Sequence, residues 1–356
     1  MPVCLHRDSA GHDLSGRKPS PLFRASSAKC LDIGLIVNMP DTALKSTERQ
    51  FLSLLESAAA GFLIRLSFYA LPDVPRSEPG RRHVDSFYSP LRNLWDRHLD
   101  GLIVTGTEPR ATNLREEPYW QSLTEVLDWA DQHTHSAVWS CLAAHAAVLH
   151  LDGIVRRRLE EKRFGLFRCT PASRQGLTAG LSSRLLMPHS RWNDLPEKHL
   201  KGAGYRILST GRDAGVDTFV KQRNSLFVFF QGHPEYEAST LMLEYRRDIG
   251  RYLRGERETY PLLPRDYFDT ETIAALQTLE TRAATNRSEE LLAEFPAAIA
   301  EEHLRSAWRP GAARMYHNWL KYLSAQKELR LQNRHDRKAA AHAVGFVESR
   351  RSAAGD

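Results

Sequence analysis

The sequence predicts an α/β fold: a parallel sheet with helices on both faces. Three observations carry it. Short apolar runs of strand length recur along the first half of the chain, at 31–37, 61–71, 101–106 and 136–141. Between them lie stretches whose apolar residues repeat at helical spacing. Strands that alternate with helices of this length imply βαβ units, which close only as parallel sheets buried on both sides.

Each element has its own reason. Residues 31–41 (LDIGLIVNMPD) are a buried strand closed by an Asn-Met-Pro-Asp loop. In 46–59, Ser46 or Thr47 caps a helix carrying Phe51, Leu52, Leu54 and Leu55 on one face. A second strand, 61–71, leads into a polar connection over 72–91 that contains Pro and Arg. Residues 101–106 (GLIVTG) form a third strand, 119–133 an amphipathic helix, and 136–141 (SAVWSC) a fourth strand running directly into an alanine-rich helix. Downstream, 204–211, 216–222 and 225–232 are strands joined by turns. Residues 238–253, 270–284 and 312–326 are helices.

The bulk composition narrows the class. Of the 356 residues, 42% are hydrophobic, a globular proportion, and no apolar run approaches the length of a membrane span. Residues 1–30 are polar and basic, without the apolar core of a secretory signal, and suggest a mobile leader on a cytoplasmic protein. Residues 327–356, basic and poor in large apolar side chains, suggest a disordered tail or a frayed helix. The main domain then spans 31–326. The four cysteines form no C-x-x-C pair, so neither a metal site nor a disulfide framework is indicated. The net charge of +6 is scattered, and suits an anionic, nucleotide-bearing substrate as well as it suits nucleic acid.

Cys141 holds the most informative position, between a strand end and a helix start. Ligands of open parallel sheets bind outside the carboxyl ends of the strands. A helix N-terminus favours thiolate and offers N–H groups to an oxyanion. By position alone a structural cysteine would do as well. A thiolate nucleophile also needs a base and a carboxylate that orients it. The strand 225–230 ends in Gln-Gly-His-Pro-Glu-Tyr-Glu, which puts His233 past another strand end, with Glu235 two residues on and Pro234 stiffening the turn. His145, one helical turn beyond Cys141, is a rival base whose expected role is packing. Trp120, Trp129 and Trp192 are expected in the core. Gly106 either widens the pocket or makes a turn.

With those residues in view the chain resembles the homoserine O-acyltransferases of the homoserine O-succinyltransferase type, which act in methionine biosynthesis. The resemblance rests on GLIVTG (101–106), Tyr119-Trp120, Cys141 at its turn, KRFG (162–165), PHSRW (188–192), GHPEYE (232–237), TLMLEYRRD (240–248) and MYHNWLKY (315–322). It implies a flavodoxin-like domain related to class I glutamine amidotransferases, with a C-terminal helical extension, working as a homodimer. The implied activity is ping-pong acyl transfer from an acyl-CoA to L-homoserine, with no bound cofactor, metal, nucleic acid or membrane. Cys141 resembles the nucleophile, His233 the base and Glu235 its partner, while Lys162, Ser190 and Arg247 fall on substrate-binding positions. Counting back from Tyr119 puts Asn113 at the position that helps select the acyl donor.

Two departures leave alternatives open. The nucleophile turn reads Cys-Leu-Ala-Ala-His, with His145 where the family carries glutamine, and the 106–118 loop is changed. Arg110 and Arg115 in that loop favour succinyl-CoA, with acetyl-CoA as the alternative donor and serine as an alternative acceptor. A glutamine amidotransferase-like hydrolase and a non-catalytic binding protein are the rival classes.

Overall fold

In a computed structural model, residues 2–7, 28–296 and 307–352 are described. The strands are β1 (Val3–Leu5), β2 (Cys30–Ile36), β3 (Leu63–Tyr69), β4 (Leu99–Val104), β5 (Thr134–Ser140), β6 (Arg157–Pro171), β7 (Leu185–Asp194), β8 (Arg206–Gly211), β9 (Gly215–Gln222) and β10 (Leu226–Phe230). The helices are α1 (Asp41–Ala58), α2 (Glu78–Phe87), α3 (Arg92–Trp95), α4 (Trp120–His133), α5 (Leu142–Asp152), α6 (Glu197–Gly202), α7 (Thr240–Leu253), α8 (Thr270–Thr285) and α9 (Arg309–Ser352).

All ten strands join one sheet, in the order β1-β3-β2-β4-β5-β10-β9-β8-β6-β7. The run from β1 to β10 is parallel, as the βαβ pattern requires. From β10 onward the pairing is antiparallel, so the predicted parallel sheet is extended by an antiparallel wing.

Period-2 alternation sorts the strand side chains into two cores. Val138, Val228 and Phe230 face α1 and α9 in a cluster with Phe51, Leu54, Trp319 and Leu323. Their neighbours Ala137, Trp139, Phe227 and Phe229 point the other way, against α4 and α5. A third cluster packs α7 and α8 with Phe164 and Trp308. Helices on both faces are therefore a consequence of central strand segments, such as Leu226–Phe230, that are apolar on both sides.

Several boundaries differ from expectation. α1 begins at Asp41, not at Ser46, with Pro40 as the residue before it. Asp41 supplies negative charge at the positive helix end, and Ser46 instead donates to the Ala43 carbonyl inside the helix at 2.9 Å. The polar connection 72–91 holds α2, opened by Ser77, whose hydroxyl accepts from Gly80 N, with Pro79 in the first turn. The long hairpin β6–β7 was not predicted, because charged residues interrupt its alternation.

Both ends are also more structured than expected. Val3–Leu5 of the expected mobile leader pairs with β3 as an edge strand; residues 8–27 of that leader lie outside the described residues. At the other end α9 runs through the expected boundary at 326. Lys327, buried, donates to the Cys30 carbonyl at 2.6 Å and to Asp100 at 2.8 Å. The ammonium replaces its lost water with a carbonyl and a carboxylate, which is why a lysine sits there. Among the described residues no helix is long and apolar enough to cross a membrane.

Candidate active site

β5 and β10 are hydrogen-bonded neighbours, with Ser140 opposite Phe230. The residues just beyond them therefore emerge side by side. Cys141 N–H donates to the Phe230 carbonyl at 2.7 Å, which fixes the turn where β5 becomes α5. That turn is sharp: Cys141 has φ 52° and ψ −112°, in a region that side-chain-bearing residues rarely adopt. Strain of this kind costs of order 1–3 kcal/mol and persists only where the surroundings enforce it. The result is a sulfur lifted to the helix mouth, as in other strained strand-to-helix nucleophile turns.

His233 emerges from the end of β10. Its Nδ1 is 2.8 Å from a Glu235 carboxylate oxygen, leaving Nε2 for Cys141. The Tyr236 ring stacks on the imidazole at 4.2 Å. Burial works against the imidazolium, but the Cys141 sulfur and the Glu235 carboxylate outweigh it, so the His233 pKa is raised well above its ordinary value. The loop is held from behind: His233 N–H donates to the Pro188 carbonyl and Gln231 N–H to the Asp217 carbonyl, both at 2.8 Å. Gly232 is required there, since a Cβ would sit 2.5 Å from Met187 and 2.6 Å from Asp217.

The buried trio of Cys169, His189 and Asp217 behind that glycine is the one cluster of metal-ligand types among the described residues. Its imidazole and its carboxylate already have other partners. Arg191 Nε donates to His189 Nδ1 at 3.2 Å, so the proton of a neutral ring is on Nε2, 3.3 Å from Asp217. Ser209 and Thr218 donate to the other Asp217 oxygen. Burial holds the His189 pKa at about 4. This arrangement suits a brace for the His233 loop better than an ion site.

Cys141 and His233 open into a cavity of about 850 Å³. Gly106 forms part of its wall, close to the start of α5: a Cβ there would lie 2.9 Å from Leu142 N. That N–H, like every first-turn N–H, has no acceptor within the helix. The far wall is one face of α7, where Glu244, Arg247, Asp248 and Arg251 repeat at helical spacing. Ser190 donates to one Glu244 oxygen and Tyr236 OH to the other, each at 2.5 Å. Lys162 Nζ is 3.3 Å from Asp248 and 3.8 Å from Glu244. Arg247 pairs with the other Asp248 oxygen at 3.0 Å. Despite its burial, the neighbouring cations keep the Asp248 pKa below its usual range.

The family model described as homoserine O-succinyltransferase matches residues 23–330. The chain belongs to the homoserine O-succinyltransferase family. A homoserine O-succinyltransferase of Rhodopseudomonas palustris is 45% identical over 85% of this chain and 91% of its own length. One from Methylorubrum extorquens is 46% identical over 86% and 89%. Among solved structures, a glutamine amido transferase from Methylobacillus flagellatus matches with a TM-score of 0.46 and 16% identity, over 83% of this chain and 95% of that one. So loose a likeness carries no functional argument.

Six of the seven residues singled out by sequence, Cys141, His233, Glu235, Lys162, Ser190 and Arg247, come together at this cavity, with Glu235 immediately behind His233. Asn113 does not. It is exposed and caps the short 3-10 turn Leu114–Glu116, accepting from Arg115 N at 3.2 Å. Arg115 is exposed too, and Arg110 lines a neighbouring hollow with Pro75 and Tyr119. His145 is buried with Nε2 3.0 Å from Gln231 Oε1, the packing role expected of it. Trp192, expected in the core, instead lines the cavity with the Arg158 guanidinium 4.4 Å above its ring. Sequence reasoning missed Glu244 and Asp248; the i, i+3, i+4, i+7 run of charges on α7 was the available signal. It also missed Tyr236 and Arg156, for which the sequence offers none.

Proposed function

We propose that this chain moves a succinyl group from succinyl-CoA to the hydroxyl of L-homoserine through a thioester on Cys141. The observation that carries the reading is the Cys141–His233–Glu235 constellation at two adjacent strand ends, opening on a cavity where Lys162 and Arg247 stand beside Glu244 and Asp248.

His233 takes the Cys141 proton, and Glu235 stabilises the imidazolium. The thiolate attacks the thioester carbonyl carbon, and the developing oxyanion is met by the Leu142 N–H beside Gly106. The carbon–sulfur bond to CoA breaks, and the departing thiolate takes the proton from His233. Homoserine then enters. His233 removes its hydroxyl proton, the oxygen attacks the acyl-cysteine, and Cys141 leaves as thiolate and recovers a proton. Holding the acyl group on sulfur divides one difficult displacement into two easier ones.

The acceptor is a zwitterion, and the α7 wall matches it. Arg247 and Lys162 suit its carboxylate, Glu244 and Asp248 its ammonium, and Ser190 its polar end. The reading includes a cytoplasmic homodimer of one catalytic domain per chain, as the family resemblance implies.

The test is CoA release from purified protein, crossing succinyl-CoA and acetyl-CoA with L-homoserine and L-serine, beside Cys141→Ala. Turnover with succinyl-CoA and homoserine that Cys141→Ala abolishes supports the reading. Turnover that survives the substitution, or glutaminase activity in its place, rejects it.

A further inference from the structure

The acyl group carries its own charge, and the cavity holds one cation placed for it. Most cavity cations are already paired: Lys162 and Arg247 with Asp248, Arg191 with Asp194 at 2.9 Å, and Arg251 with Glu108 at 3.1 Å. Arg257 lies 3.8 Å from Asp248, and Arg158 is exposed on the Trp192 ring. Arg156 differs from all of these. It lines the same cavity as Cys141, is half-buried, and has no carboxylate within ion-pair distance among the described residues. Its one hydrogen bond among the described residues goes to the Thr112 carbonyl, at 3.3 Å.

The chain puts it there by a specific route. Gly153, at φ 68°, ends α5 in the left-handed conformation and reverses the backbone. Ile154 is then buried, and Arg156 precedes the first residue of β6. Glu117 is near enough to act on it electrostatically but forms no ion pair with it; its Oε1 accepts from the N–H groups of Arg110 and Ala111 at 2.6 and 2.7 Å, and its Oε2 has no hydrogen-bond partner among the described residues. Burial lowers the Arg156 pKa, and the Cys141 sulfur is among the charges that oppose the shift. A guanidinium stripped of part of its water and given no carboxylate is an anion receptor awaiting its ligand.

We propose that Arg156 binds the distal carboxylate of a dicarboxylic acyl group held on Cys141, and so selects succinyl-CoA over neutral acyl-CoA donors. This rests on the acyl-cysteine reading and replaces Arg110 and Arg115 in the argument for succinyl. An acyl chain without that carboxylate leaves the guanidinium unpaired, which is the basis of discrimination.

The experiment compares kcat/KM for succinyl-CoA and butyryl-CoA, which has the same carbon count with a methyl in place of the carboxylate. Wild type, Arg156→Gln, Arg156→Lys and Arg115→Ala are measured with homoserine. The expected result is a wild-type preference for succinyl that falls roughly a hundredfold or more in Arg156→Gln, recovers in part in Arg156→Lys and is unchanged in Arg115→Ala. Wild-type protein supplies a readout independent of folding: the methyl ester of succinyl-CoA should be a poor donor by a similar factor. Equal losses for both donors in Arg156→Gln, or a methyl ester used as well as the free acid, would overturn the assignment while leaving acyl transfer intact. Absence of any wild-type turnover with succinyl-CoA would overturn both.

Discussion

Substituting Gly106 by alanine isolates the oxyanion site without touching a reacting group. Gly106 is not among the residues with positive φ, so alanine meets no conformational penalty of that kind. The cost comes from close approach alone. The new Cβ would sit 2.9 Å from Leu142 N, 3.0 Å from Leu142 Cβ and 3.3 Å from the Ser140 carbonyl oxygen. Two of these three atoms are backbone, held by the β5 ladder and the first turn of α5. The loop or the helix start must therefore give by several tenths of an ångström. The methyl also occupies the approach to the Leu142 N–H. Loss of one oxyanion donor costs about a hundred- to a thousandfold in kcat, or about 3–4 kcal/mol. Overpacking of this kind costs about 1–3 kcal/mol of stability. Steady-state CoA release gives kcat, mass spectrometry of the acylated cysteine separates the two half-reactions, and thermal denaturation gives the stability. Both half-reactions should slow, because both pass through the same oxyanion. A variant that folds and keeps kcat within about threefold of wild type would remove Leu142 N–H from the mechanism.

Three further outcomes follow from the same geometry. Cys141→Gly abolishes turnover yet raises the denaturation midpoint by about 1 kcal/mol of stability, since glycine relieves the strain at φ 52°; a lowered midpoint contradicts the strain argument. His145 and His189 are buried and neutral, with pKa values of about 3 and about 4, so below pH 6.5 the unfolded chain binds the first protons. The stability these two contribute is present above pH 6.5 and lost as pH falls toward those values. The slope at its steepest is about 2.7 kcal/mol per pH unit for the pair, and urea titrations of His145→Gln should show about half of it. Glu244→Gln turns one of the two oxygens that accept from Ser190 and Tyr236 into an amide donor, and removes one of two charges proposed to face the homoserine ammonium. Its KM for homoserine should rise about tenfold or more, with the rate of enzyme acylation by the donor unchanged; slower acylation would place Glu244 in the donor site instead.

The first half of the fold was legible because its strands are continuous apolar runs, a pattern that buried parallel strands produce and little else of that length does. The cysteine and histidine of the proposed catalytic pair could be picked out for a related reason. Cys141 and His233 follow the apolar runs Ala137–Trp139 and Leu226–Phe230, which end side by side at the carboxyl end of the sheet. What escaped is what depends on distance along the chain. β6 and β7 carry charges that face the cavity or solvent, so their alternation is broken and the hairpin reads as loop. Asn113 was placed by counting through a loop, and a loop does not hold register: the residue turns away to cap Leu114–Glu116. The leader and the tail were judged by composition, which cannot foresee that Val3–Leu5 finds an open strand edge or that Lys327 finds Asp100.

The pairing of β5 with β10 divides labour within the enzyme. Cys141 and His233, the proposed nucleophile and base, are anchored to the ends of two strands locked in register, Ser140 against Phe230, so their separation is set by the spacing of a hydrogen-bonded ladder. The groups that would distinguish one acceptor or donor from another sit elsewhere, on the face of α7 and in the stretch that leads from α5 into β6. A change of substrate therefore needs no change in the part that makes and breaks bonds, and the two can be altered by different mutations, in the laboratory or in a lineage, without first passing through an inactive enzyme.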